Sequence, residues 1–328
     1  MLPAPSLIAP ARPILALWLA WAAASLGCVL TDGRLHAELL VPRLAGPWIQ
    51  LAGRPVLERW ASPRAEAVDF TAFQAADGRW QLIACVRFTT HPGNNRLLYR
   101  WSSPELLRPD WQPEGIFLSS RAEWDHAEGH LQAPFHAVED GVHHLFYNSR
   151  GAHLLTSPDG LAWSPHGERA VFPMGRDLCL LDDRAQSGRW IAYYTSPEPG
   201  INPATRDHTI RARTAPRLTG PWSEEAVEIP PLTPPWPGYT FVFAESPLVV
   251  RRGNYYYRFE QMYVFRSEDP LRWEGPPIAC LMPDAPIKLL APEIVTHEGR
   301  DYLLAYQWLN DDPRGIFLAP LAWDPSSP

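Results

Sequence analysis

Three acidic residues far apart in the sequence occupy comparable places in the chain. Asp69, Asp177 and Glu245 each stand near the start of an apolar, strand-like run. An acid at the start of a buried strand is costly unless it faces water or a partner, so three of them indicate a shared polar pocket. Carboxyl groups in one pocket can divide into a proton donor and a proton acceptor, because burial or a neighbouring carboxylate raises the pKa of one of them. The pattern therefore predicts acid–base chemistry at these residues.

The elements that must position these acids form a repeat. A short apolar strand, a Gly-containing turn and an aromatic-rich strand recur five times, and turns such as Asp77-Gly78 are typical of a β-hairpin. The recurring segments are 69–86, 133–148, 177–195, 245–259 and 291–307. A further strand, a turn and a Trp follow each copy, at Trp111, Trp163, Trp222 and Trp273 and in a shortened last copy at 318–323.

These repeats predict the fold class. No sustained 3.6-residue apolar period of a helix follows residue 45, so we expect an all-β chain. Repeats of this size bury their faces by stacking around an axis, which predicts a single five-bladed β-propeller. Residues 46–60 would add a strand to the short last blade and close the ring. The acids would then meet at the mouth of the central tunnel, and the Trp residues that end the units would pack between blades.

Composition agrees with a globular chain and excludes other classes. The 328 residues include 46% hydrophobic residues, which excludes low-complexity disorder. Lys and Arg number 29 against 36 Asp and Glu, a net charge of −7 that argues against a nucleic-acid partner. The four cysteines, Cys28, Cys85, Cys179 and Cys280, are far apart and form no CxxC zinc or redox motif.

The N-terminal segment has the pattern of a targeting or anchoring sequence. Residues 14–30 are uninterrupted apolar or small residues, preceded by one Arg and no acid. Residues 1–37 are therefore predicted to be a signal peptide or membrane anchor, and residues 38–328 the propeller. A cleaved export signal, an uncleaved anchor and a lipoprotein signal at Cys28 all remain open, as does a misassigned start codon. The three signal interpretations place the propeller outside the cytoplasm, secreted, periplasmic or attached to the membrane.

The openings of the repeats resemble those of five-bladed propeller glycoside hydrolases. Family 43 is the most similar, with family 32, the invertase-type enzymes, as a relative, and the resemblance covers about residues 60–325. Asp-Pro, Ala-Pro, Asp and Glu-Gly-Pro open blades one to four in family 43. The corresponding pairs and triplet here are Asp69-Phe70, Ala133-Pro134, Asp177-Leu178 and Glu245-Ser246-Pro247.

The resemblance implies a role for each acid. Asp69 would be the general base, Asp177 the residue that orients and tunes the acid, and Glu245 the general acid. In family 32 the first Asp is a nucleophile instead. The sequence departs from family 43 at Phe70 and Leu178, which replace Pro, and at Phe135, which replaces an acid. The Trp-Met-Asn-Asp-Pro stretch of family 32 is missing, which argues against a plain invertase.

The expected function is hydrolysis of glycosidic bonds in oligo- or polysaccharides by paired carboxyl groups. Likeness to family 43 favours inversion at the anomeric carbon, and arabinose, xylose, galactose and fructose linkages are all compatible. One alternative is a retaining β-fructosidase like those of family 32. Alternatives of another class are a non-catalytic carbohydrate-binding propeller and a protein-interaction propeller.

Four further residues are candidates for substrate binding. Arg176 precedes Asp177, as in the Arg-Asp-Pro motif of family 32, and His136 lies two residues after Pro134, where it could face the tunnel. Glu293 follows the Ala-Pro of the fifth repeat, and Trp236 lies in a long irregular loop suited to sugar stacking. No cofactor is expected. A structural calcium ion, as in some relatives, is compatible with the chain, although no dedicated calcium loop is present.

Overall fold

A computed structural model of the protein describes residues 39–196, 209–229, 245–282, 289–307 and 314–325. Strands dominate these ranges, as predicted, and the only α-helix described within them is the short Arg184–Ser187. No helix in the described part of the chain is long and apolar enough to span a membrane. The predicted signal or anchor segment at residues 1–37 lies outside the described residues.

Twenty-one strands are described. In chain order they are β1 (Leu40–Leu44), β2 (Ile49–Ala52), β3 (Glu66–Gln74), β4 (Trp80–Arg87), β5 (Leu97–Ser103), β6 (Gln112–Leu118), β7 (Gln132–Glu139), β8 (Val142–Asn148), β9 (Ala152–Ser157), β10 (Ser164–Pro165), β11 (Arg176–Asp182), β12 (Trp190–Thr195), β13 (Ile210–Ala215), β14 (Val227–Ile229), β15 (Leu248–Arg252), β16 (Tyr255–Glu260), β17 (Tyr263–Ser267), β18 (Ala279–Cys280), β19 (Leu289–His297), β20 (Arg300–Gln307) and β21 (Ile316–Pro325).

The strands pair in five antiparallel sheets, which are the blades of a propeller. Blades I to IV are β3–β6, β7–β10, β11–β14 and β15–β18. Blade V combines β19, β20 and β21 with β1 and β2. The first strand of each blade contacts the first strand of the next, and that of blade V contacts that of blade I, so the five inner strands form a closed ring. The predicted five-bladed propeller is confirmed.

Strands from both ends of the propeller close the ring in blade V. β2 pairs with β21 through Gln50 opposite Phe317, which confirms the predicted closing strand within residues 46–60. The later part of that segment differs from the prediction, because Glu58–Trp60 form a 3-10 turn. β1, which the sequence analysis did not predict, pairs with the other half of β21.

Replacing Leu51 with Ala tests this closure. Leu51 is fully buried in β2, so the change removes packing between blades V and I and is expected to lower the free energy of unfolding by about 2–5 kcal/mol. Urea unfolding measures the loss. The matched control is Val56→Ala at a side chain that is 62% exposed, with an expected change within about 0.5 kcal/mol. Equal effects of the two substitutions would contradict the closing role of β2.

The Trp residues that end the units pack between blades, as predicted. Trp163 of blade II contacts Phe73 of blade I at a ring separation of 6.0 Å, and Trp222 contacts Phe172 at 4.8 Å. Trp273 joins an apolar cluster with residues of blade III, and the Trp111 amide donates a hydrogen bond to the carbonyl of Leu51. These indoles hold adjacent blades at a fixed distance and so fix the ring of inner strands.

Candidate active site

Each inner strand has an irregularity at the same place. The residues with a positive φ there are Asp69 (34°), Ala133 (44°), Asp177 (58°), Ser246 (52°) and Ala291 (51°). In β3, β7, β11 and β19 the pairing register shifts at this point, as in a β-bulge. Left-handed backbone at residues other than glycine is strained, and bulges next to active sites redirect side chains. The five residues therefore form one ring at the mouth of the central tunnel, and we call them the ring residues.

The ring places two of the acids at equivalent positions and the third beside them. Asp69 and Asp177 are equivalent to Ser246, so Glu245 lies one residue earlier, in agreement with the alignment of Pro247 with Phe70 and Leu178. The ring residues line a small depression, open to solvent, to which all five blades contribute. Asp69 and Asp177 are among its lining residues, together with Glu293 from blade V.

Arg176 brings Glu245 and Asp177 together. Its Nη2 and Nε donate hydrogen bonds to Oε1 of Glu245 at 2.5 and 3.1 Å. The same Nε lies 3.2 Å from Oδ2 of Asp177. The two carboxyl oxygens therefore cannot be farther apart than the sum of the two Nε distances, about 6.3 Å. Groups this close in a half-buried site interact strongly.

Burial raises the pKa of both aspartates at the site. Asp177 has a side chain that is only 5% exposed, and this burial raises its pKa from 3.8 to about 8, against the opposing effect of Arg176. The carboxylates of Asp69 and Glu245 add to the increase. Burial also raises the pKa of Asp69, opposed mainly by Arg96. Near neutral pH the cluster therefore retains a proton on Asp177.

Glu245 differs from Asp177 in its exposure and in its hydrogen-bond partner. Its side chain is 30% exposed and accepts two charge-assisted hydrogen bonds from Arg176. The structure thus pairs Glu245 with a guanidinium group, whereas the Asp177 carboxyl is buried. A general acid needs the proton at Glu245, so the role that the resemblance implies requires Arg176 to release this carboxyl group.

Several polar residues of the site were missed in the sequence. Cys85, Thr195 and Tyr306 lie near the ends of the second strands, each opposite the residue that precedes a bulge. Thr195 hydrogen-bonds to Asp177 and accepts one from the amide of Ser246 at 3.1 Å. Tyr306 is buried and interacts electrostatically with all three acids. The hairpin pattern could have identified these residues. In an antiparallel hairpin, the end of the second strand of a blade lies beside the start of its first strand, where the acids are.

Glu293 lines the depression and connects two blades. Its Oε1 accepts hydrogen bonds from Thr71 Oγ1 at 2.9 Å and from the amide of Ala72 at 3.2 Å. Its Oε2 is buried and has no hydrogen-bond partner among the described residues. Burial raises the pKa of Glu293 from 4.5 to about 8. The contacts join blade V to blade I, and a contact of Glu293 with substrate stays a prediction.

The raised pKa of Glu293 predicts how stability depends on pH. The folded state keeps this proton up to pH about 8, whereas the unfolded chain loses it near pH 4.5, so stability falls as pH rises between these values. Glu293→Gln stays neutral at every pH and is expected to reduce this decline, leaving the similar contribution of Asp177. Urea midpoints of parent and variant between pH about 4 and 9 measure it. Parallel pH profiles would contradict the assignment.

The structure places His136 away from the acids at the propeller mouth. Its imidazole stacks on Phe73 of blade I with 3.9 Å between ring centres, and its Nε2 is 2.9 Å from Nδ1 of His143. Burial and the neighbouring histidines lower the pKa of His136 to about 3, so it is neutral. This position between blades I and II differs from the expected one facing the tunnel, because the backbone irregularity at Ala133 reverses the alternation of side chains beyond it. Trp236 lies outside the described residues.

The metal expectation has no support in the described geometry. Among the described residues, no group of three or more His, Cys, Asp or Glu side chains is arranged to hold a metal ion. The acids at the ring are occupied by Arg176 and Thr195 rather than arranged around an open centre. These residues do not fit a bound calcium ion, so no chemical step is derived through one.

Solved structures resemble this arrangement of blades. A thermostable family-43 glycoside hydrolase superposes with a TM-score of 0.57 at 18% identity, covering 80% of this chain and 92% of that one. An α-L-arabinofuranosidase from Lactobacillus brevis gives 0.56 at 16%, covering 82% and 95%. The chain shares its fold with these glycoside hydrolases.

A family 117 glycoside hydrolase from the marine bacterium Zobellia galactanivorans is similar to the same extent, with a TM-score of 0.56 at 14% identity over 85% of this chain and 90% of that one. No protein-family model and no curated protein matches the chain. At these identities the likeness establishes the five-bladed fold, and the chemistry has to be argued from the residues of the site.

Proposed function

We propose that the protein is a glycoside hydrolase that cleaves glycosidic bonds of oligo- or polysaccharides. The observation that carries the proposal is the meeting of Asp69, Asp177 and Glu245 at the mouth of the propeller axis, where Asp177 is buried with a raised pKa and Glu245 is paired with Arg176. Glycoside hydrolysis needs a carboxylic acid and a carboxylate at one site. Groups whose pKa values differ through their surroundings are suited to that division.

In this proposal Glu245 protonates the glycosidic oxygen as the bond to the anomeric carbon breaks. Asp69 removes a proton from a water molecule that attacks the opposite face of the sugar, which inverts the configuration. Asp177 acts through Glu245, because a carboxyl within about 6.3 Å influences whether Glu245 holds a proton. The family 43 likeness supports these roles.

Arg176 links substrate binding to this proton transfer. In the described state its guanidinium hydrogen-bonds to Glu245 and lies against Asp177. Sugar hydroxyl groups that accept the Arg176 hydrogen bonds would leave Glu245 without its cation. The Asp177 proton would then move to Glu245, leaving Asp177 as the carboxylate that faces Arg176. This sequence conserves the proton and gives Arg176 a substrate-binding role.

A panel of aryl glycosides and oligosaccharides tests the proposal. Arabinosides come first, because an α-L-arabinofuranosidase shares the fold, followed by xylosides, galactosides and fructosides. Release of sugar by the purified protein is the expected result, and the anomer formed first distinguishes inversion from the retention of a β-fructosidase. Binding on a sugar array without turnover of any ligand that binds would overturn the proposal in favour of a carbohydrate-binding propeller.

A further inference from the structure

A cluster of basic side chains lies beside the acids, between blades I and II. Its members are Arg96, from the loop that follows β4, His130, from the loop before β7, and Arg150, from the turn after β8. We call these three residues the basic cluster. None of them belongs to the acid–base machinery described above.

Hydrogen bonds hold the three loops together. The amide of Arg96 donates a hydrogen bond to the carbonyl oxygen of Gly129 at 2.8 Å. The amide of Asn94 donates one to the carbonyl oxygen of Glu128 at 3.0 Å. The amide of Ala127 donates to Ser149 Oγ, next to Arg150, at 3.1 Å. Gly93 packs so closely on Glu128 that a Cβ there would lie 2.1 Å from its carbonyl oxygen. The basic cluster therefore sits on a fixed frame.

The cluster reaches the catalytic acids. The Arg96 side chain interacts with Cys85, which is in register with Val68, the residue before Asp69. Its charge is also the largest electrostatic influence that lowers the pKa of Asp69, against the increase that burial causes. His130 interacts electrostatically with both Arg96 and Arg150. Arg96 thus borders the side of the mouth where Asp69 lies, and His130 and Arg150 lie next to Arg96.

The positive charge of the cluster belongs to its two arginines, because burial and these arginines lower the pKa of His130. Among the described residues neither Arg96 nor Arg150 forms an ion pair within 4.0 Å, whereas Arg87 is paired with Glu66 and Arg176 with Glu245. The acids on the adjoining loop are Glu123, Asp125 and Glu128, all exposed and none ion-paired with the cluster. A chain with net charge −7 therefore presents unpaired positive charge beside its proposed reaction site.

We propose that the basic cluster is a subsite for the carboxylate of a uronic acid unit in the substrate, next to the bond that is cleaved. This inference rests on the proposed hydrolase function and names its substrate class. Guanidinium groups bind carboxylates through paired, charge-assisted hydrogen bonds, which specify charge and orientation together. A neutral sugar would leave both guanidinium groups with water, so the subsite discriminates by charge.

Acidic oligosaccharides and their carboxyl-reduced counterparts provide a matched test, because each pair has the same linkages and differs only in charge. The parent protein is expected to favour the acidic member by about 10- to 100-fold in kcat/KM, the effect of one or two charge-assisted hydrogen bonds. The preference should decrease with added salt. Arg150→Gln should abolish most of it, mainly through KM. Arg108→Gln, at an exposed arginine on the β5–β6 turn, is the control and should retain it.

The outcomes separate the subsite from the hydrolase function. Cleavage of both members at equal rates would overturn the subsite and leave the hydrolase proposal standing. If neither member of any pair is cleaved, the hydrolase proposal fails and equilibrium binding of the same pairs decides. Tighter binding of the acidic member, weakened by Arg150→Gln and not by Arg108→Gln, would support the subsite, and binding without a charge preference would overturn it.

Discussion

Replacing Glu245 with Gln is expected to lower kcat on an oligosaccharide by at least about 100-fold, because general acid catalysis contributes 10²–10⁴-fold. The amide keeps the size of the side chain and can still accept hydrogen bonds from Arg176, but it cannot donate the catalytic proton. Steady-state rates of sugar release measure the loss. Glu298→Gln, at a side chain that is 83% exposed, is the matched control and should leave the rate unchanged.

The leaving group distinguishes a proton donor from a residue that only shapes the site. An aryl glycoside with an acidic phenol needs little protonation, so Glu245→Gln should retain much more of its activity on that substrate than on an oligosaccharide. Asp177→Asn should show the same dependence on the leaving group with a smaller loss on the oligosaccharide, because Asp177 acts through Glu245. The opposite result, with leaving-group dependence in Asp177→Asn alone, would assign the acid role to Asp177 and contradict that of Glu245.

Replacing Asp69 with Asn is expected to lower kcat/KM by about 10²–10⁴-fold on every substrate, whatever its leaving group, because no carboxylate remains to accept the proton of water. A base must be ionised, so the parent should lose activity as pH falls through the pKa of Asp69, which burial raises above 3.8. The residual activity of Asp69→Asn should lack this acidic decline. Rates measured across pH in the parent and in Asp69→Asn give the loss in kcat/KM and the decline at acidic pH.

Asp140→Asn is the control for this substitution, since its side chain is 67% exposed on a hairpin turn of blade II. It should retain the parental rate and pH profile. An acidic decline that persists unchanged in Asp69→Asn would show that another group is the base. Glu245 and Asp177 would then be the remaining carboxyl groups at the ring to consider.

The repeat made the fold predictable. Five hairpins with aromatic second strands have one economical solution, in which each blade buries its faces against its neighbours, and the Trp at the end of each unit fills the space between them. β1 was not predicted because its Leu-Val-Pro-Arg-Leu sequence has no partner in its own neighbourhood. It is a strand only because β21, at the other end of the chain, provides hydrogen-bond partners.

The site was predictable in composition and not in arrangement. The three acids and Arg176 could be selected because they open strands of equivalent repeats. The offset of Glu245 is visible in the sequence, because Pro247 aligns with Phe70 and Leu178 and leaves Ser246 at the place of Asp69 and Asp177. The left-handed backbone at these three residues could not be predicted. His136 was misplaced for the same reason, since a bulge reverses which face of the strand its side chain takes. Arg96 was missed because its contact with the site comes from tertiary packing of a loop.

The central claim is that the acids at the propeller mouth make this protein a hydrolase. The most direct measurement is the rate at which the parent and an Asp69→Asn/Glu245→Gln double variant, purified identically, release reducing sugar from the oligosaccharide panel. We expect hydrolysis of at least one substrate by the parent and no detectable hydrolysis by a double variant with an unchanged unfolding midpoint. Equal rates in the two proteins would show that these acids do not make the protein a hydrolase.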